Sequence, residues 1–402
     1  MKMYLKTLQP ANKEAENVHE VAVPYGLIGE SNLGQRGNKQ VIFWGASFLK
    51  LSDQLKIEEY VKITNMCLDY IRKQCVGYEL FYKPHPAEKK ELKLLDLKLF
   101  RILDDSKPAE IFIWKNLGKI AYSFSISSNA SISAYSFGLN SYVFYKLFEN
   151  AVGRATFEAW CDYFKNCPER ISIHDLSKPL ADNKEIPTVN DLLEQNMKKL
   201  LEENNGEIWF TIVEPSPVMI MVAIAKLIKN ISPGRPINLV ISQQHRWRAI
   251  DTNFLNDYFD DIKFLPRVYY SLKPERLLEA VRQAFKIQKL KIGSRDIIIS
   301  FMAFPNFSFV ENCLVSYFGE NKKVTFCYPA NFNLMYALEF SGFFAQLKFK
   351  TKLASVFFNR VLEPCLGLYR TLYLQCDDGK IFNITRYEKP IHDIFDQVYL
   401  TQ

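Results

Sequence analysis

At 402 residues the chain is long enough for two ordinary domains with full cores. Hydrophobic residues at 48% and charged residues at 24% are the values of a soluble globular protein, and no charge-free apolar run reaches the roughly 18 residues of a membrane-spanning helix. A net charge of +7 suits anionic partners such as nucleotide sugars, acidic glycans or anionic lipid, while no recognition motif supports nucleic acid.

The eight cysteines form no Cys-x-x-Cys pair and sit beside no histidine cluster, so reduced buried thiols are expected and no zinc site or other metal centre is. The opening MKMYLKTLQP lacks an apolar core of signal-peptide length, which argues against export and for a cytoplasmic location. Residues 1–39 are polar, with turn signals at Gly34-Gln35-Arg36-Gly37-Asn38, and are expected to form an arm over the first domain.

A first alternating series then fills residues 40–175. Residues 41–44 predict a strand, Gly45-Ala46-Ser47 its turn, and 56–73 an amphipathic helix. Strands follow at 78–82, 99–103, 120–124 and 141–145, with helices at 108–117 and 130–137 and a charged patch at 88–91. Short loops and repeated strand–helix–strand units read as one Rossmann-like half. Residues 176–206 make a linker and one helix, for which Thr188 is a cap and Asn204-Asn205-Gly206 an end. Residues 207–402 repeat the pattern: strands at 208–213, 238–241, 262–265, 296–301 and 323–327, with helices at 219–229, 274–289 and 310–318, then C-terminal helices. Segment 331–374 is dense in Phe, Leu and Tyr, with Lys348, Lys350, Lys352, Arg360 and Arg370 interspersed. Packed helices are the first expectation there, and peripheral contact with a membrane the second.

Two strand ends stand out. Tyr82-Lys83-Pro84-His85-Pro86 closes one, and Ser125-Ile126-Ser127-Ser128-Asn129 closes another about forty residues later, leading straight into a helix. In an open α/β sheet ligands bind outside the carboxyl ends of strands, and a helix N-terminus there suits a phosphate. Flanking prolines aim His85, Lys83 is either a phosphate ligand or a solvated strand-end lysine, and Ser127 and Ser128 either cap the helix, bind an anion, or do both. Gly45 ends a neighbouring strand and is a further candidate.

The pair of motifs resembles the HP and SS motifs of bacterial sialyltransferases, polysialyltransferases and Kdo transferases, over residues 40–146. That resemblance implies a GT-B fold of two Rossmann-like domains facing a cleft, here with the nucleotide-binding half first, a permuted order. It also implies a CMP-activated acidic sugar as donor substrate, with no separate cofactor. Lys83, His85, Pro86, Ser127, Ser128, Asn129 and Gly45 would hold the CMP. Asp377-Asp378-Gly379 matches the family's general-base motif in letters only, because its flanks read as two hairpin strands. By strand order the family's position is taken by Cys327-Tyr328-Pro329.

Glu214 and His245 close the first two strands of the second half, and this arrangement resembles the retaining β-Kdo transferases of capsule and O-antigen synthesis. Glu214 is then the nucleophile and His245 the proton relay. Their plainer readings are a helix cap before Pro215 and a cleft-edge residue that binds sugar or water. Arg246 and Arg248 either pair with the sugar carboxylate or lie solvated at the surface. The expected activity is transfer of Kdo from CMP-Kdo to a surface polysaccharide or glycolipid at the inner face of the inner membrane. The alternatives are an inverting sialyltransferase-like enzyme and a non-catalytic glycan-binding module of a larger synthase.

Overall fold

The computed structural model describes residues 2–5, 15–29, 40–46, 56–85, 88, 91–103, 108–165, 167–183, 191–213, 215, 217–243, 247, 250–266, 274–303, 314, 317–328, 336–337, 369–375, 381–387 and 395–401. The chain divides into two compact units, one of residues 24–189 and the other of residues 1–23 with 190–402. Both are α/β structures built on a parallel sheet, compatible with Rossmann-like folds.

Strands β1 (Lys2–Leu5) and β2 (Val18–Val21) come first in the chain and belong to the larger unit. The smaller unit opens with a single helical turn, α1 (Gly26–Gly29), and continues with β3 (Gln40–Trp44), α2 (Ile57–Gln74), β4 (Glu79–Lys83), β5 (Phe100–Ile102), α3 (Ala109–Lys115), β6 (Ile120–Ser125), α4 (Asn129–Ser136), β7 (Asn140–Val143) and α5 (Arg154–Phe164). Its five strands are parallel in the order β5-β4-β3-β6-β7. The first strand is therefore central. The chain builds outward on one side through β4 and β5, then crosses back to build through β6 and β7, so the order reverses between β3 and β6.

The local reasons are plain in the sequence. Val41, Ile42, Phe43 and Trp44 are all buried, as a central parallel strand covered on both faces requires. In α2, Tyr60, Thr64, Cys67, Leu68 and Ile71 are buried at helical spacing, with Glu58 and Glu59 in the first turn and Arg72 and Lys73 in the last, where they complement the helix dipole. The buried face of α2 packs on Val41, Phe43, Tyr82 and Phe124, and Phe124 stacks on Tyr142 at 5.2 Å. Beyond α5 the chain returns along β7. There Asn183 donates to Ser141 O (2.6 Å) and accepts from Ser141 N (3.0 Å), doing with one side chain what a neighbouring strand would do.

The larger unit holds α6 (Asp191–Glu203), β8 (Ile208–Ile212), α7 (Val218–Ile231), β9 (Ile237–Gln243), β10 (Asp261–Pro266), α8 (Pro274–Gln288), β11 (Ile297–Ala303), β12 (Lys322–Tyr328), β13 (Tyr336–Ala337), β14 (Tyr369–Gln375), β15 (Ile381–Tyr387) and β16 (Gln397–Thr401). Seven parallel strands run in the order β10-β9-β8-β11-β12-β16-β2. Helix α7 is apolar nearly all round and nearly all buried, so it is an internal helix. At 14 residues it is about 21 Å long, short of a bilayer core. Among the described residues no helix is long and apolar enough to cross a membrane.

Three expectations change. The arm placed over the first domain instead contributes Val18–Val21 as the last strand of the seven-stranded sheet, where Val398 pairs with Val18. Val18 and Val21 at its two ends are buried, while His19 and Glu20 between them are less so, which leaves each face of this last strand only partly covered. The described C-terminal elements are strands rather than helices: β16 joins that same sheet, and β14 pairs antiparallel with β15. Finally, Glu88, read only as part of a charged patch, is buried. Gln375 faces Ile381 across the β14–β15 pair, the hairpin arrangement read around Asp377-Asp378-Gly379, although these three residues lie outside the described ones. Most of segment 331–374 also lies outside them.

Candidate functional site

Strands β4, β3 and β6 are neighbours in the smaller unit, and their register sets Lys83, Trp44 and Ser125 in one row. At about 4.8 Å per strand, Lys83 and Ser125 stand roughly 10 Å apart across Trp44. The chain segments carrying Gly45, His85 and Ser127–Asn129 leave this row together, at the point where the strand order reverses. The sequence-predicted residues of this half are thus gathered at one sheet edge, apart from Pro86, which lies outside the described residues.

Side chains alternate along a strand, so Lys83, Trp44 and Ser125 share one face and Tyr82, Phe43 and Phe124 the other. On the first face Trp44 Nε1 donates to Ser123 Oγ (2.8 Å), and its ring meets Phe112 of α3 edge-on at 6.1 Å. Lys83, only 6% exposed, carries its Nζ 5.9 Å from the centre of the same Phe112 ring. Glu110, in the first turn of α3, lies close enough to feel that charge. Burial pushes the Glu110 carboxyl above its ordinary range, while hydrogen bonds from its own backbone and from Ser133, and the charge of Lys83, pull it back. The Tyr25 phenol is raised by burial and then by Glu110.

The turn from β6 into α4 is held by serines. Ser125 Oγ, fully buried, accepts from Ser128 N (3.0 Å) and from Ser131 Oγ (2.8 Å). Ser128 is the helix N-cap, its Oγ accepting from Ala130 N (3.2 Å), and Ser131 N donates to Ser128 O (3.1 Å). Asn129 Oδ1 accepts from Tyr163 Oη (2.7 Å), which ties the first turn of α4 to α5. Three amides are therefore already used. The Ser127 and Asn129 amides and the Ser127 hydroxyl have no hydrogen-bond partner among the described residues, so they are the donors this turn presents outward.

On the other side of the row, His85 is exposed at the end of β4. Its backbone N donates to Glu88 Oε2 (3.0 Å), and Glu88 N donates back to His85 O (2.7 Å). Tyr82 Oη donates to Glu88 Oε1. Gly45 N donates to Lys83 O (2.9 Å), and a Cβ on Gly45 would lie 2.1 Å from Glu88 Oε2 and 2.7 Å from Tyr82 Oη. The space beside Gly45 is thus filled by this carboxylate. Glu88 and Ser125 are the residues that sequence reasoning passed over. The usable signals were a glutamate three residues after His85, as in a capping box, and a serine at the strand end three residues before the cap.

In the larger unit Glu214, His245, Arg246 and Arg248 lie outside the described residues. The strands that lead to them are parallel neighbours, with Ile212 of β8 beside Ile241 of β9. Trp247, 5% exposed, donates its indole N–H to Val213 O (2.7 Å), so the chain just after β9 is tied to the end of β8. At the end of β12, Cys327 is buried and its carbonyl accepts from Thr401 Oγ1 (3.1 Å). Among the described residues no group of three or more His, Cys, Asp and Glu side chains is placed to hold a metal ion.

In chemical terms, the Ser127 hydroxyl and the Ser127 and Asn129 amides at the helix N-terminus make a donor set for an anion, with the buried Lys83 and the exposed His85 two strands away at the end of β4. Compared with known protein families and with curated proteins, the chain matches none.

Proposed function

We propose that the chain is a GT-B glycosyltransferase that moves an acidic 2-keto-3-deoxy sugar, Kdo in the first instance, from its CMP-activated donor to a bacterial surface glycan. The observation that carries this reading is the pairing of Lys83-Pro84-His85 with Ser127-Ser128-Asn129 on the two strands flanking β3, where the order of the sheet reverses. Ligands of open α/β sheets bind at such reversal points.

In this mechanism the donor phosphate sits on the Ser127 and Asn129 amides and the Ser127 hydroxyl. His85 and Lys83 stabilise the negative charge that gathers on the CMP phosphate as its bond to the anomeric carbon breaks. The Glu214 carboxylate attacks that carbon and gives a glycosyl-enzyme. The acceptor hydroxyl then opens it, its proton passing to His245, with net retention. Arg246 and Arg248 meet the sugar carboxylate through paired N–H groups.

CMP release from CMP-Kdo and from CMP-sialic acid, with and without sugar acceptors, tests the donor. Glu214→Gln is expected to abolish transfer while leaving CMP binding, measured by calorimetry, unchanged. Full activity in that variant removes the nucleophile. Inversion at the anomeric carbon, read by NMR of the product, would replace the retaining scheme with a sialyltransferase-like one. A protein that binds no nucleotide at all would be a glycan-binding module.

A further inference from the structure

We propose that Glu88 is a positioning residue for His85, holding the histidine where its ring meets the donor phosphate. The inference rests on the reading of this edge as a CMP-sugar site. It starts from burial: Glu88 is 3% exposed, and a buried carboxylate is costly unless its oxygens are engaged. Here Oε1 accepts from the Tyr82 phenol and Oε2 from the His85 amide, while the Glu88 amide returns a hydrogen bond to the His85 carbonyl.

The bond from the His85 amide to the Glu88 carboxylate is one half of a capping box, while the Glu88 amide closes the turn on the His85 backbone carbonyl rather than on a side chain. Tyr82, in turn, is 1% exposed and stacks on Phe43 at 5.5 Å, inside the core beneath α2. A continuous path of packed and hydrogen-bonded groups therefore runs from the core through the carboxylate to the backbone of an exposed histidine. Gly45 completes it, since any side chain there would collide with Glu88 Oε2. Fixing the backbone at both its N–H and its C=O limits the directions open to the ring, which is what charge stabilisation by a preorganised donor needs.

The test uses isotope-labelled histidine and CMP. The chain has five histidines, and the His85 ring signal is assigned by its loss in His85→Ala. Glu88→Ala is expected to move the His85 ring signal and to weaken CMP binding about tenfold, roughly 1.4 kcal/mol. Glu88→Gln keeps an oxygen that accepts from the His85 amide and is expected to restore most of both. Gly45→Ala, which displaces the carboxylate without altering it, is expected to behave as Glu88→Ala. The proposal is overturned if Glu88→Ala leaves the His85 signal and CMP affinity at their wild-type values, or if folded Glu88→Gln is as impaired as Glu88→Ala. If the wild-type protein binds no CMP, the functional reading fails, while the His85 signal alone still decides the role of Glu88.

Discussion

Replacing Ser125 by alanine isolates the contribution of the β6–α4 turn. The hydroxyl is fully buried and accepts two hydrogen bonds, from Ser128 N at 3.0 Å and from Ser131 Oγ at 2.8 Å. Ser131 Oγ keeps a longer bond to Tyr142 O at 3.3 Å, so its loss is partial. The Ser128 amide, half-buried, loses its acceptor outright. A donor left without its acceptor costs about 1–3 kcal/mol and the partial loss adds less, so the expected cost is about 2 kcal/mol. For a unit of this size that corresponds to a fall of about 4–8 °C in the unfolding midpoint. Thermal unfolding followed by circular dichroism measures the total, and amide hydrogen exchange places it. Exchange at Ser128 is expected to rise roughly thirtyfold, the factor that about 2 kcal/mol represents. CMP affinity is expected to fall with it, because the neighbouring Ser127 and Asn129 amides lose their fixed geometry. A midpoint within about 1 °C of wild type together with unchanged Ser128 exchange would refute the claim that Ser125 organises the turn.

Two more predictions concern charge at the same edge. Lys83→Met retains the apolar stem but removes the ammonium, and is expected to weaken CMP and inorganic phosphate about ten- to hundredfold in calorimetry, the range for one charge-assisted hydrogen bond. The same change removes one of the influences that lower the Glu110 carboxyl, whose titration, followed by carbon NMR, is expected to move further up. Glu110 itself gives a pH dependence with a definite sign: its folded value lies above the ordinary glutamate range, so the folded state holds the proton more tightly than the unfolded one. Its contribution favours folding below the unfolded value and is lost as pH rises through the folded one. Glu110→Gln is expected to flatten that decline in urea-unfolding curves taken across the window, and a slope identical to wild type would remove Glu110 as its source.

Much of this molecule follows from local pattern. The all-apolar run of β3, the helical spacing of α2 and the Lys-Pro-His-Pro and Ser-Ser strand ends are legible because side-chain period and backbone chemistry act over a few residues. Those signals suffice to name parallel α/β structure and to mark the strand ends that carry Lys83, His85, Ser127, Ser128 and Asn129 as candidates before any fold is known. The ordering of strands was not legible in the same way. That β3 lies between β4 and β6, so that two motifs about forty residues apart in the chain flank one strand, depends on crossovers that the sequence pattern permits but does not encode.

The residues passed over show the same limit. Val18–Val21 is a short segment whose partner, Gln397–Thr401, lies at the far end of the chain, and no local period reports such a pairing. Glu88 sits among charged neighbours and reads as surface until Tyr82 and the His85 amide are seen to reach its two oxygens. Composition and periodicity by themselves determined the α/β class and where many of the strands end. Only the tertiary structure decided which of those ends meet, because long-range pairing and the burial of a polar group are settled by what else fills the space around them.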